Sequence, residues 1–144
     1  MKTRFKNLYL DIASRVAQMS RARRLQVGCI VVKDDRIISL GYNGTAAGWD
    51  NNCEDIFYDE LGMERLKTKP EVIHAELNSL MKLAKSSDSG NQTSMFVTHS
   101  PCLDCAKGIY LAGIKEVFYR EDYRSSDGID FLKKCGVMVE KVSE

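Results

Sequence analysis

The amino-acid sequence predicts an α/β fold of three layers, in which helices cover both faces of a mixed five-stranded sheet. Short apolar, β-branched segments alternate with helical patterns in the order α-β-β-α-β-α-β-α-β. A polar turn separates the first two strands, which predicts an antiparallel hairpin, whereas helices join the last three strands, which predicts parallel pairing through right-handed crossovers. The chain has 144 residues, a common size for one core, so residues 1–144 are expected to form a single domain.

The first predicted helix covers residues 5–20. Apolar side chains recur there at helical spacing, namely Leu8, Ile12, Val16 and Met19. We expect these four side chains to form the face that packs against the sheet.

The predicted hairpin follows this helix. Its strands are residues 27–32 and 37–42, and the polar residues 33–36 form the turn between them. The next stretch, residues 43–70, contains several glycines and many acids but no clear period, so it is predicted to be a long loop. Loops of this length in small domains are commonly functional or disordered.

The second half of the chain alternates helices with strands. Helices are predicted over residues 72–85, 101–111 and 127–135, and strands over residues 93–98, 114–119 and 137–142. The helix that follows Pro70 has Leu77, Leu80, Met81 and Ala84 on one face, which is expected to be buried.

The composition excludes several classes of protein. A hydrophobic fraction of 44% with 28% charged residues is ordinary for a globular chain and argues against disorder. The net charge of +1 does not favour general electrostatic binding to nucleic acid. No apolar run approaches the roughly 18 residues that span a bilayer, and the N-terminus lacks the apolar core of a signal peptide. We therefore expect a soluble cytoplasmic protein without nucleic-acid or membrane partners.

The chain has five cysteines, an odd number that argues against a disulfide framework when no export signal is present. Cys102 and Cys105 are three positions apart at the start of a predicted helix, where one turn brings both thiols to the same side. The helix N-terminus favours the thiolate form. By itself this pattern fits a metal site and a redox-active thiol pair equally well. The isolated Cys29 and Cys135 are expected to be core thiols.

His74, one of the two histidines, lies at the start of another predicted helix, at the same predicted edge of the sheet. His74, Cys102 and Cys105 together form a set of three ligands, which leaves zinc an open position, as in catalytic rather than structural sites. Glu76 lies two residues after His74, close enough to move protons at such a site without being a ligand. The residues therefore predict one catalytic Zn²⁺ per chain with Glu76 as the catalytic residue. His99 is expected to line the same pocket or to pack near its mouth rather than to be a ligand.

A His-x-Glu pair followed by Pro-Cys-x-x-Cys is the signature of zinc-dependent nucleobase deaminases, and both parts are present here. Beyond these motifs, the chain resembles the deoxycytidylate (dCMP) deaminase family, in its phage-type form, over nearly its full length. The matching segments are residues 24–28, 41–48, 53–55, 74–78 and 97–102. Tyr123 also matches the tyrosine with which the family contacts a phosphate. The Tyr-Asn-Gly loop and this tyrosine make the resemblance specific to deoxycytidylate.

The resemblance implies a cytidine deaminase-like fold and zinc-dependent hydrolysis of dCMP to dUMP and ammonia, which supplies dUMP for thymidylate synthesis. It implies that Asn43 binds the deoxyribose 3′-hydroxyl and that Tyr123, with Arg24, binds the 5′-phosphate. Ala75 and Ser100 are the other substrate-binding residues that it implies.

The resemblance also implies a homo-oligomer, with a hexamer favoured, that dCTP activates and dTTP inhibits. The effector is expected at a subunit interface near the loop of residues 43–48. Backbone groups of Asn43, Gly44 and Gly48 are expected at its phosphates, and Glu54 or Asp55 at its pyrimidine or at an associated Mg²⁺.

Two departures from the family pattern affect these expectations. Ala46 replaces the usual proline, which makes the loop freer. Some phage relatives hold a second, structural zinc, but here Ala22 replaces one of its cysteines and no histidine lies between Cys53 and His74. One zinc per chain is therefore expected, with Cys53 as a free or buried thiol.

Two other interpretations remain open at this stage. A tRNA adenosine deaminase would share the zinc motifs, but it requires a basic tRNA-binding face that a net charge of +1 does not favour. A zinc-stabilised binding module without turnover would leave Glu76 unexplained, and it predicts that loss of zinc unfolds the chain.

Overall fold

The computed structural model describes residues 1–143. The helices in this range are α1 (Thr3–Ala17), α2 (Ala75–Ala84), α3 (Leu103–Leu111) and α4 (Asp127–Lys134). The strands are β1 (Gly28–Lys33), β2 (Arg36–Tyr42), β3 (Glu54–Tyr58), β4 (Glu64–Thr68), β5 (Ser94–His99), β6 (Glu116–Glu121) and β7 (Met138–Lys141). No helix within residues 1–143 is both long enough and apolar enough to cross a bilayer.

Five strands form the main sheet in the order β2-β1-β5-β6-β7. Strand β1 is antiparallel to β2 and β5, whereas β6 is parallel to β5 and β7. Asp34 and Asp35 form the β1–β2 turn with φ angles of 49° and 60°, the left-handed conformations that a tight hairpin turn requires. The predicted mixed five-stranded sheet is confirmed, with both its hairpin and its parallel strands.

Helices cover both faces of this sheet, as predicted. Helix α1 packs Tyr9 and Leu10 against one face, where they meet Phe96 and Phe118. Helices α2, α3 and α4 cover the other face and bury a larger apolar cluster. The N-termini of α2 and α3 therefore lie on the same side of the sheet.

The predicted buried faces of two helices were only partly right: Ile12 and Val16 of α1 pack against the core and Leu80 of α2 is buried, but other predicted residues are exposed. In α1, Leu8 is 47% exposed and Met19, beyond the helix end, is 55% exposed, while the helix buries Ala13 and Ala17 instead. In α2, Leu77 and Met81 are exposed, and the buried face is formed by Ala75, Glu76, Ser79, Leu80 and Leu83. Small side chains let these helices approach the sheet closely, and a hydrophobicity pattern gives such residues little weight.

Strands β3 and β4 form a separate two-stranded sheet inside the stretch predicted to be a loop. The side chain of Asp59 accepts hydrogen bonds from the N–H groups of Leu61 and Met63, both at 3.0 Å, and Gly62 adopts a φ of 77°. These contacts close a tight turn between the strands. The prediction of an irregular loop was therefore wrong for residues 54–68, which we call the β3–β4 hairpin.

Candidate active site

The three predicted metal ligands meet where α2 and α3 begin. His74 is the N-cap of α2, Cys102 is the N-cap of α3, and Cys105 lies in the first turn of α3. Strand β5 ends just before Cys102, so the site lies at the carboxyl edge of a central strand.

Close backbone packing holds both helix starts in position. A Cβ on Gly41 would lie 2.7 Å from the carbonyl oxygen of Ala75 and 2.7 Å from the amide nitrogen of Ser79. A Cβ on Gly128, in the first turn of α4, would collide with the carbonyl oxygen of Pro101. Glycine is needed at both positions because backbone occupies the space that a side chain would take.

The ligand atoms have the spacing that a tetrahedral metal requires. The Nδ1 atom of His74 lies 3.6 Å from Sγ of Cys102 and 3.4 Å from Sγ of Cys105, and the three ligand atoms lie within 4.8 Å of one another. Ligands of one tetrahedral zinc are separated by about 3.5–3.8 Å, given the usual Zn–N and Zn–S bond lengths. The donor set and its spacing therefore fit zinc, with one coordination position left for water or substrate.

The protonation of the two thiols also fits a cation site. Hydrogen bonds from Cys105 and His74 lower the pKa of the Cys102 thiol to about 4. The hydrogen bond with Cys102 and burial raise the pKa of Cys105. The lowered pKa favours the thiolate form of Cys102. The thiol of Cys105 would lose its proton when a cation binds, because thiolates are the ligand form.

Glu76 lies beside this cluster, in the first turn of α2. Its side chain is 4% exposed, and burial raises the pKa of its carboxyl group to about 7. Within residues 1–143, the group of side chains close enough to share a metal contains His74, Cys102 and Cys105 without Glu76. Its carboxyl group is therefore available for proton transfer.

A cavity of about 650 Å³ opens above these residues. His74, Ala75 and Glu76 line one part of its wall, and the cationic side chains of Arg24, Lys67 and Arg124 line other parts. Glu76 is the only acidic residue in the described lining. This balance of charge favours a ligand that carries an anionic group.

The predicted substrate-binding residues all line this cavity, and so does His99, as expected. Asn43 is fixed by two hydrogen bonds of 2.8 Å: its Oδ1 accepts from the N–H of Val27, and its Nδ2 donates to the carbonyl of Leu25. Ser100 Oγ accepts from the N–H of Tyr123 at 2.7 Å, so this buried serine positions the tyrosine.

Several lining residues were missed by the sequence analysis. Phe57, Leu66, Lys67 and Thr68 belong to the β3–β4 hairpin, which forms one wall of the cavity. No signal in the sequence indicated that hairpin. Arg124 was also missed, although its position next to Tyr123 could have identified it. Its guanidinium lies 5.6 Å from the centre of the Tyr123 ring.

Comparison with known proteins decides the family. Residues 3–121 match the cytidine and deoxycytidylate deaminase zinc-binding region. The chain belongs to this deaminase family. The expectation of a deaminase of the dCMP-acting, phage-related type is supported by the individual relatives described next.

Phage proteins are prominent among the relatives of this deaminase. The dCMP deaminase of cyanophage S-TIM5, solved in complex with dCMP and dUMP, has a TM-score of 0.88 and 47% identity, covering 98% of both chains. The deoxycytidylate deaminase of Enterobacteria phage T4 is 33% identical, covering 90% of this chain and 86% of its own. ComE operon protein 2 of Bacillus subtilis is 37% identical over 88% of this chain, which spans 65% of that relative's length.

The deaminase has a second cavity, of about 470 Å³, which is lined by the loop of residues 43–48. Asn43 lines both cavities, and Gly44 and Gly48 line the second. Arg21 and Lys82 contribute cationic side chains to its wall. The described lining does not include Glu54 or Asp55, so these two predicted effector residues are not brought together with the other three.

The remaining cysteines of the deaminase are free thiols. Cys53 is buried in a small cluster with Ala22 and Val72, in accordance with the expected buried thiol. Cys29 is fully buried in the core as predicted, whereas Cys135 is only partly buried.

Proposed function

We propose that this deaminase hydrolyses dCMP to dUMP and ammonia, and that it supplies dUMP for thymidylate synthesis. The observation that carries the proposal is the buried carboxyl group of Glu76 beside the His74, Cys102 and Cys105 cluster, in a cavity that cationic side chains also line. Glu76 and the cluster suit the chemistry at a cytosine ring. The cationic side chains suit a 5′-phosphate.

The reaction replaces the 4-amino group of cytosine with oxygen: water adds at C4, and the amino group leaves as ammonia. When held by the three ligands, zinc lowers the pKa of water and so makes a hydroxide nucleophile available near neutral pH. Glu76 accepts one proton of the attacking water and transfers it to N3 of the ring. It then moves the remaining hydroxyl proton at C4 to the amino group, so that C4=O forms as ammonia leaves. Since Glu76 is buried, these transfers occur away from bulk water.

The wall of the cavity orients the nucleotide. The side-chain amide of Asn43 retains one N–H and one oxygen lone pair beyond its bonds to Leu25 and Val27, and these are available to the deoxyribose 3′-hydroxyl. Arg24 and the hydroxyl of Tyr123 serve the 5′-phosphate. Because the backbone bonds already fix Asn43, little side-chain entropy is lost when the sugar binds.

Ammonia release from dCMP, dCTP, deoxycytidine and tRNA tests the proposal. We expect turnover to be fastest with dCMP. Preferential turnover of tRNA would favour an adenosine deaminase instead. A zinc-containing protein that deaminates none of the four would favour the binding module.

Tyr123→Phe is expected to raise KM for dCMP by roughly 10-fold, because the substitution removes one hydrogen bond to a charged phosphate. The KM for deoxycytidine, which has no phosphate, should change by less than about twofold. Tyr110→Phe is a matched control, since this exposed tyrosine is on α3 and outside the described cavity lining. Equal effects of Tyr123→Phe on both substrates would contradict the phosphate role.

We further propose that the second cavity binds the effectors dCTP and dTTP, with Mg²⁺ at their phosphates, in a homo-oligomer for which we favour a hexamer. Its cationic side chains suit a triphosphate, and Asn43 belongs to both cavities. The hairpin also exposes the apolar side chains of Ile56, Tyr58, Leu61 and Met63, and contacts between subunits would cover such a surface.

We expect dCTP to shift the dCMP saturation curve to lower concentration and dTTP to shift it to higher concentration. An effector that prefers one loop state by about 1–3 kcal/mol changes the affinity for dCMP about 5–150-fold. The measurement is initial rate against dCMP concentration with each effector and with neither. Three superimposable hyperbolic curves would contradict the regulatory proposal and leave the catalytic one intact.

A further inference from the structure

Three arginines close together in the sequence have three different environments. Arg21 lines the second cavity, and Arg24 lines the first. Between them, the guanidinium of Arg23 is directed to neither cavity. Its Nη2 donates to Oδ1 of Asn52 at 3.1 Å, and its Nε lies 3.4 Å from Oε1 of Glu54. Of these three arginines, only Arg24 lines the cavity proposed for the substrate, and one buried side chain contacts the backbone that carries it.

The side chain of Glu54 supplies that contact. It is 2% exposed, and its Oε2 accepts hydrogen bonds from the backbone N–H groups of Arg23 at 3.0 Å and Arg24 at 3.1 Å. A buried carboxylate requires donors of this kind, because an unpaired charge in the interior is strongly unfavourable. The bonds therefore link the first residue of the β3–β4 hairpin to the backbone of Arg24.

The side chain of Asn43 holds the other end of the same segment. It donates to the carbonyl of Leu25 and accepts from the N–H of Val27. The backbone of residues 23–27 is thus fixed at both ends by side chains from outside it. The side chain of Arg24 leaves this segment toward the cavity that Tyr123 also lines.

We propose that Glu54 is a positioning residue for recognition of the substrate phosphate, acting through Arg24. The carboxylate fixes the Arg24 backbone and also pairs with Arg23, so that Arg24 is the arginine of this segment that meets the phosphate. The role rests on the proposed function, and it differs from the effector contact that family resemblance implied for Glu54. It predicts selective loss of phosphate recognition when the carboxylate is removed.

The test compares Glu54→Ala, Glu54→Gln and the exposed hairpin control Glu64→Ala in steady-state assays with dCMP and with deoxycytidine. Glu54→Ala should raise KM for dCMP roughly 10-fold, the usual worth of a charge-assisted hydrogen bond. The kcat for dCMP and both constants for deoxycytidine should stay within about twofold. Glu54→Gln should recover part of the affinity, because its amide oxygen can still accept both backbone N–H groups whereas its amide nitrogen cannot pair with Arg23. Glu64→Ala should match the wild type.

A double-mutant cycle with Arg24→Ala shows whether Glu54 acts through Arg24. If it does, adding Glu54→Ala to Arg24→Ala raises KM for dCMP no further. If Glu54→Ala does not fold, Glu54→Asp provides the same readouts, since it keeps the charge but shortens the reach by one methylene.

Equal losses on dCMP and deoxycytidine, or additive effects in the cycle, would overturn the inference alone. A wild-type enzyme that does not turn over dCMP would overturn the proposed function, and the inference with it. The two failures are therefore distinguishable.

Discussion

Glu76→Gln is expected to lower kcat for dCMP by at least about 10²–10⁴-fold, the usual contribution of general acid–base catalysis. An amide cannot accept the proton of the attacking water or pass one to N3, and a single residue serves several of these transfers. The fold should persist, because glutamine has nearly the same shape and its neutral amide is easier to bury than a carboxylate. Zinc content should persist as well, since Glu76 lies outside the ligand group.

The measurements are kcat with saturating dCMP, zinc per chain by elemental analysis, and the melting temperature. Glu71→Gln is the matched control, because Glu71 is exposed and lies just before the same helix. It should retain wild-type values of all three. Near-normal turnover by Glu76→Gln would remove Glu76 from the mechanism. A loss of zinc would mean instead that its carboxylate helps to hold the metal.

The main sheet could be predicted because its central strands are buried on both faces. Strands β1 and β5 are almost continuously buried, and their β-branched and aromatic residues produce a strong local pattern. The helices between the parallel strands could be predicted equally well, because the connection between two parallel strands needs a dozen or more residues, which usually form a helix.

The β3–β4 hairpin could not be predicted in the same way. Only Glu54 is buried in β3, and no residue of β4 is fully buried. A period of two in hydrophobicity arises when one face of a strand is buried and the other is not. Here both faces are largely exposed, so the pattern is absent. The hairpin residues that line the cavity were missed for this reason.

The cluster of candidate metal ligands could be predicted because histidine and cysteine are rare in this chain. Two histidines and five cysteines leave few ways to assemble a site, and their positions at helix starts bring them together. The role of Glu54 was not predictable from the sequence. The proposed role depends on a hydrogen bond between residues 30 positions apart in the sequence. Nothing in the local sequence distinguishes Glu54 from the other acidic residues around it.

The second large effect expected is the loss of zinc when a cysteine ligand is substituted. Purified protein should contain one zinc per chain, and Cys102→Ala or Cys105→Ala should each remove it. Removing a residue that only hydrogen-bonds to a metal ligand already lowers metal affinity about 10–100-fold, so removing a thiolate ligand itself should lower it more. Cys102 is the better site for substitution because it is only partly buried, so truncation there leaves little cavity. Cys53→Ala is the matched control and should keep one zinc, since Cys53 packs with Ala22 and Val72 away from the ligand group.

Zinc removal should also separate an enzyme from a binding module that needs the metal to fold. The apolar core is built by the five-stranded sheet and its helices, so the metal-free chain should retain its secondary structure by circular dichroism. Zinc that binds only the folded chain, at a free concentration 1,000 times its Kd, would stabilise the folded state by about 4 kcal/mol. Chelation should therefore lower the melting temperature by about 10 °C. Two zincs per chain, or full retention of zinc by Cys105→Ala, would contradict the assignment of these ligands. Complete unfolding on chelation would support a structural role for the metal instead.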